Sequence, residues 1–371
     1  MKNKIILLVV FMFLITGCSF NESEEENVIS NVDSSDYSLV YPFNASDARI
    51  AHYNFSPSSL QIQEVGVGLL NISKNYFSVD TFYVAEGQML TYDDLVVNTS
   101  MEDQQGLLGR TSSTNPVGLN PKKNSHILLE NGETVEVENP VLILDIYEVD
   151  MMVSKKGKYE LGGISIAIVV SDQINVKDGL YGSTYSMDAD KFKIYYEESA
   201  RKVVSYLRNK GDVGEDIPIL VSVYNSNSED KALPGNFISS ALFKGRNATF
   251  ESISEEWVIF PSKEAMAIDN ETYNKFTEIK NSLESTLPEN VAVLGKGLYV
   301  GDDLSKLHMT ITIQGKTYNE VNSTILYTKK LMEKFTDTDV TYTAEVKIVN
   351  ETVALLEKNP DSKDIIVISK Y

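Results

Sequence analysis

The sequence predicts an α+β protein of two mixed α/β units behind a disordered N-terminal tether. Three observations predict it. Helix-periodic stretches and short β-branched runs are interspersed without a regular βαβ rhythm, which argues against a doubly wound sheet and against the two alternating lobes of a periplasmic-type solute-binding protein. A chain of 371 residues suits about two domains. A polar, Gly-rich stretch at 172–187 offers a boundary, so the units are expected at 49–180 and 181–371.

The N-terminal residues read as a processing segment. Lys2 and Lys4 are followed by an apolar run at 5–15, shorter than the roughly 20 residues that span a bilayer. Ile15-Thr16-Gly17-Cys18 then resembles the lipobox of bacterial lipoproteins. There small residues admit the peptidase to the backbone and the cysteine sulfur carries a diacylglyceryl group. Cys18 is the single cysteine in the chain. The expectation is cleavage after Gly17, lipidation of Cys18 and residence on the outer face of the cytoplasmic membrane. The partners are then the lipid bilayer, through the acyl chains, and the lipoprotein-processing enzymes. Two or more acyl chains make such anchoring stable, at about 0.8 kcal/mol per buried methylene. The competing reading is an ordinary signal peptide with a chance cysteine. Residues 18–48 carry seven acids and no Lys or Arg, with Ser and Asn between, and read as a self-repelling tether.

Within the body, Ser56-Pro57 suits a helix start, and Leu60, Val65, Leu69 and Ile72 follow at helical spacing. A strand is expected at 79–84, a long Gly/Ser/Asn loop at 101–124, and strands at 140–147 and 162–171. The last of these is apolar on both faces, as a central strand should be. Residues 188–210 form the clearest helix, closed by Gly211. Strands at 217–224 and 256–260 follow, then a helix at 272–287 bounded by Asn270 and Pro288. A hairpin is expected from strands 291–299 and 306–313 around Gly301-Asp302. A helix at 321–335 and strands at 340–349 and 365–369 complete the chain. Gly66-Val67-Gly68 lies inside a predicted helix and reads as close packing, not as a phosphate cradle.

Composition narrows the function. The formal charge is −20, and removal of Lys2 and Lys4 makes it −22. Such a surface repels nucleic acid and anionic headgroups. With Cys18 spent on lipid, the body has no thiol for disulfides, zinc-thiolate sites or nucleophilic catalysis. His52, His126 and His308 are scattered, with no HExxH spacing, nucleophile elbow or P-loop. They are expected to be structural or surface residues. No metal ligand set or cofactor is assigned, no EF-hand-like loop is present, and the body is read as non-enzymatic. Asp93-Asp94 and Asp302-Asp303 read as helix-start and turn acids. Asp145, in an apolar run, is read as a strand-face acid pointing to solvent. Pro234-Gly235-Asn236-Phe237 and Glu86-Gly87-Gln88 combine permissive backbone with polar and aromatic side chains, so Glu86, Gln88, Asn236 and Phe237 are candidate groove residues. The competing reading is tight turns entering strands.

Seven segments carry a family resemblance: Glu64-Val65-Gly66-Val67-Gly68-Leu69, Phe82-Tyr83 through Glu86-Gly87-Gln88, Leu161-Gly162-Gly163-Ile164-Ser165-Ile166, Tyr181-Gly182-Ser183-Thr184-Tyr185, Pro234-Gly235-Asn236-Phe237, Trp257-Val258-Ile259-Phe260-Pro261-Ser262 and Gly295-Lys296-Gly297-Leu298-Tyr299. In this order they resemble the CamS family of sex-pheromone lipoproteins of Gram-positive bacteria, from the lipobox to about residue 315. The resemblance implies an α+β fold of two related units and a body with no settled biochemical activity. It also implies a signal segment that releases an apolar mating peptide. The matching stretch here is Phe11, Met12, Phe13, Leu14, Ile15, Thr16 and Gly17, which is richer in aromatics than the family's peptide and lacks its small-residue ending. Two alternatives stand beside this reading. One is an extracellular binding module for a peptide, glycan or transporter partner. The other is a carboxylate-based cell-envelope hydrolase, which needs two carboxylates flanking one cleft.

Overall fold

A computed structural model describes residues 28–29, 35–55, 59–97, 105–178, 181–228, 232–287 and 290–370. The candidate peptide Phe11 to Gly17, the lipidation site Cys18 and the Ser56-Pro57 helix start lie outside the described residues. Among those residues no helix is long and apolar enough to cross a membrane.

Two sheets organise the chain, joined by helices without a repeating βαβ unit, so the α+β expectation holds. The first sheet has eight strands in the order β1-β2-β3-β6-β7-β10-β11-β12. Its members are β1 (Val28–Ile29), β2 (Leu39–Val40), β3 (Phe82–Glu86), β6 (Ile143–Lys155), β7 (Lys158–Val170), β10 (Ile219–Asn225), β11 (Asn236–Phe243) and β12 (Glu251–Ser252). Small two-stranded sheets form from β4 (Ser125–Leu128) with β5 (Thr134–Val137), and from β8 (Gln173–Asp178) with β9 (Tyr181–Ser186). The first sheet carries helices on both faces. On one lies α2 (Ser59–Ser73), whose Val65 and Leu69 pack with Phe77, Ala167, Leu220 and Phe237. On the other lies α4 (Ala189–Lys210), whose Phe192, Tyr196, Val203 and Leu207 pack with Ile164, Ile166, Ile168 and Val221. Strand β7 is therefore buried on both faces from Gly163 to Val170, as its continuous apolar run predicts. Helix α4 is capped by the Asp188 side chain, which accepts from the Lys191 amide, and by Gly211 at φ 90°. The short helices α1 (Arg49–Phe55) and α3 (Tyr92–Leu95) pack beside this sheet; Asp94 completes the capping box of α3, as its helix-start reading requires.

The second sheet has six strands in chain order, β13 (Glu255–Phe260), β14 (Ala292–Val300), β15 (Asp303–Ile313), β16 (Thr341–Ile348), β17 (Glu351–Lys358) and β18 (Ile366–Ser369). Helices α5 (Lys263–Ile268), α6 (Asn270–Glu284) and α7 (Tyr318–Met332) cover one face, where Phe276, Ile279 and Ile325 meet Met309, Ile311 and Val346. Burial along β15 alternates, with Leu307, Met309, Ile311 and Ile313 inside and Lys306, His308 and Thr310 on the other face. Gly301, at φ 65°, makes the β14–β15 turn.

Three expectations are corrected. The change of sheet falls between Ser252 and Glu255 and not near 180. The polar 172–187 stretch is the β8–β9 hairpin, and α4 carries the chain from it back to β10, parallel to β7, so its turn-rich composition marks a hairpin and not a linker. Secondly, residues 35–48, expected in the tether, pack on the body. Tyr37 and Ala48 are buried, the Tyr37 hydroxyl donates to the Phe77 carbonyl, and Asp36 pairs with Lys74. The acids that read as self-repelling are used as partners; Asp47 likewise accepts from the Tyr92 amide. Thirdly, Asp145 does not face solvent. It is 5% exposed, and its carboxylate meets His52 Nδ1 at 2.8 and 3.0 Å while accepting from the Ile146 amide.

Candidate binding cleft between the sheets

Strands β7 and β10 run parallel and end together, Val170 opposite Asn225. In open parallel sheets ligand sites form beyond the carboxyl ends of the strands, where the departing loops leave a crevice, and this single parallel pair leaves one too. Here the crevice is a cleft of about 910 Å³, walled by the start of α4, the turn after β10 and the outer side of β13. At its floor the Asn227 amide donates to Ser171 Oγ at 2.7 Å and to Asp172 Oδ1 at 2.9 Å. Trp257, Glu255 and Glu256 project from the second sheet.

Pro234, Glu255 and Trp257 also line a smaller inner pocket of about 290 Å³. One wall is the outer side of α2, with Glu64 and Val67; the other is the uncovered end of the second sheet, with Leu298, Val300 and Lys306. The segment entering β11 joins the two. Asn236 Nδ2 donates to the Glu255 carbonyl, and the Phe237 backbone amide donates to Glu255 Oε2, both at 2.8 Å. The Phe237 ring packs against Tyr224 and over Gly68, where a Cβ would come within 2.3 Å of it. That close approach is why glycine stands in the middle of α2, as the packing interpretation of Gly66-Val67-Gly68 requires.

Electrostatically the inner pocket is mixed. Burial raises the pKa of Glu255 and Glu64, and Lys306 opposes the rise at both. Burial lowers the pKa of Lys306. Among the described residues no hydrogen bond or ion pair within 4 Å is made by the Lys306 ammonium or the Glu64 carboxylate.

Two of the four predicted groove residues, Asn236 and Phe237, are therefore at the junction. Glu86 and Gln88 do not line it. Gln88 Nε2 donates to the carbonyls of Asn44 and Glu86, and Gly87 lies against Glu148. Sequence reasoning missed Glu64, Trp257 and Lys306, which come from α2, β13 and β15. The one available signal was Trp257, the single tryptophan in the chain.

Other chemistry-bearing side chains hold the scaffold. Glu148 accepts from the amides of Met89 and Leu90 at 2.9 and 2.7 Å, and Asp150 accepts from the Gln88 amide at 3.1 Å. Burial raises both carboxyls, and the charge of Glu148 adds to the rise at Asp150. This pair fixes the 87–90 loop and lines neither the cleft nor the inner pocket. His308 Nδ1 lies 2.8 Å from Thr343 Oγ1, and burial lowers its pKa. Among the described residues no three His, Cys, Asp or Glu are grouped to hold a metal.

Comparison with known proteins agrees with the fold. The chain is similar in structure to a sex pheromone precursor from Lactobacillus salivarius subsp. salivarius UCC118, with a TM-score of 0.77 and 24% identity over 93% of this chain and 98% of that one. It is also similar to the C-terminal domain of the sex pheromone staph-cAM373 precursor from Staphylococcus aureus, with a TM-score of 0.65 and 23% identity over 85% and 98%. No curated protein sequence matches the chain. The sequence profile of the family described as CamS sex pheromone cAM373 precursor matches residues 43–364, which is most of the chain, and the protein belongs to that family.

Proposed function

We propose that this chain is the precursor of a hydrophobic signalling peptide and, after processing, a lipid-anchored protein on the outer face of the cytoplasmic membrane. The observation that carries this reading is the position of the single cysteine. Cys18 directly follows Ile15-Thr16-Gly17 and an apolar run, in a chain whose family is that of sex pheromone precursors. Cleavage after Gly17 leaves Cys18 as the acylated N-terminus and frees the peptide from Phe11 to Gly17 for further trimming. The body needs no catalytic activity in this scheme. The test is metabolic labelling with an alkyne-bearing fatty acid. The wild-type protein takes the label and sediments with membranes, and Cys18→Ala does neither; label retained by Cys18→Ala overturns the anchor. Synthetic Phe-Met-Phe-Leu-Ile-Thr-Gly, titrated from picomolar concentrations in a conjugation reporter, tests the peptide separately.

The cleft favours a second reading for the body, an extracellular binding module. Both sheets contribute side chains to it and to the inner pocket, where Lys306 and Glu64 make no direct contact with an opposite charge among the described residues. A ligand at ~100 times its dissociation constant stabilises the folded chain by about 2.7 kcal/mol, so thermal melts with peptides and cell-wall glycans test this reading.

A further inference from the structure

We propose that the inner pocket between α2 and the second sheet binds a small apolar zwitterion, a free amino acid or a dipeptide, with its ammonium toward Glu64 and Glu255 and its carboxylate toward Lys306. The inference rests on reading the body as a binding module and names the ligand class of that site. Three observations carry it. The pocket is walled by Val67, Phe237, Trp257, Leu298 and Val300, so it presents mainly hydrocarbon and aromatic surface. Set into that surface are two carboxylates and one ammonium, from α2, β13 and β15. Their bonding is incomplete. One oxygen of Glu255 holds the Phe237 amide, and Glu64 and Lys306 have no direct partner among the described residues.

Charge matching selects among ligand classes. A plain anion would satisfy Lys306 and be repelled by Glu64 and Glu255. A plain cation would engage the two carboxylates, repel the half-buried Lys306 and offer it no partner. A neutral hydrocarbon would strand all three charges at the cost of their remaining hydration. A zwitterion with an apolar side chain offers every one of the three an opposite charge, its ammonium shared by Glu64 and Glu255, and fills the apolar wall. Size points the same way. A volume of about 290 Å³ lies at the lower edge of the range of roughly 300–1,000 Å³ seen for small-molecule sites. Both termini of the ligand must fit inside it, so a longer peptide is excluded from this binding mode.

Trp257 supplies the reporter, because it lines the pocket and no other tryptophan contributes to the emission. The experiment is a fluorescence titration of the full mature chain in detergent with leucine, leucyl-leucine, leucinamide and N-acetyl-leucine. Leucine or leucyl-leucine changes the Trp257 emission saturably, and which of the two is tighter identifies the source. Leucinamide lacks the carboxylate and N-acetyl-leucine lacks the ammonium, so each binds at least about tenfold more weakly, the worth of one charge-assisted contact. Lys306→Met lowers leucine affinity to that of leucinamide, and loses little more when the amide itself is the probe. Glu64→Gln does the same for the acetyl analogue. Equal affinity for all four probes overturns the proposal, as does an unchanged emission into the millimolar range. If all four probes are silent while a glycan or longer peptide raises the melting temperature, the zwitterion site falls and the binding-module reading survives.

Discussion

The two sheets are built to the same plan and differ in how they are covered. From β3 to β12 the neighbour pairings run antiparallel, antiparallel, parallel, antiparallel, antiparallel. From β13 to β18 they run in the same order. In each, the parallel step is the one that crosses over through a long helix, α4 in the first sheet and α7 in the second. The first sheet then receives α2 on its remaining face; the second has no helix there among the described residues. One arrangement gives a closed scaffold and the other leaves a sheet face free, and the candidate pocket lies where α2 of the first borders the free face of the second. The comparison teaches that covering, more than topology, decides which half presents a surface.

The contrast can be broken or sharpened by substitution. The largest effect is expected at Phe237, which is 2% exposed at the junction. Phe237→Ala should cost about 3–5 kcal/mol in urea unfolding; a loss below ~1 kcal/mol would show that the scaffold half is not packed as described. Next is His52→Ala, which strands the buried Asp145 charge and should cost up to about 3–5 kcal/mol by the same measurement. His52→Ala combined with Asp145→Ala should recover part of that loss. Gly68→Ala drives a methyl into the Phe237 ring and should cost about 1–3 kcal/mol; pairing it with Phe237→Leu should restore stability.

The Glu148–Asp150 pair predicts a pH dependence that originates in the first half. Burial and the Glu148 charge push Asp150 up to about 9 from 3.8. The folded state thus holds a proton that the unfolded state releases. The contribution is complete below the unfolded pKa and is lost as pH rises toward about 9. Urea midpoints should fall across this range, and Asp150→Asn should flatten the fall; an equal slope in both proteins would remove the pair as its cause. The smallest effect is expected on the free face. Leu294 is 60% exposed, and Leu294→Gln should change stability by no more than about 0.5 kcal/mol in thermal melts.

Much of this architecture was legible where side-chain pattern and burial agree. The unbroken apolar run of β7, the alternation of β15 and the capped amphipathic stretch of α4 each state their own environment. Legibility failed where polar residues are buried. Glu148 and Asp150 interrupt the apolar pattern of β6, so only its first part was expected, although they face the interior to hold the 87–90 loop. Ser239 and Ser240 are buried and hid β11, which sequence periodicity did not predict. The site was half legible for a related reason. Asn236 and Phe237 sit in a segment whose Pro and Gly announce unusual backbone. Glu64 and Lys306 look like ordinary solvated charges on a helix and a strand, and only the folding of distant segments brings them to one pocket.

The packed segment at 35–48 has a consequence for proteolysis near the N-terminus. Strands β1 and β2 extend the first sheet beyond β3, and a sheet edge stripped of its neighbour is a template for joining other chains. A protease that cuts ahead of Val28 would leave a body with this guard in place. One that cuts after Val40 would remove β1 and β2, and with them the bond to Phe77 and the Asp36–Lys74 pair. The shortened form would then carry a bare edge at β3, so the site of cleavage decides whether the first sheet stays guarded against pairing with other chains.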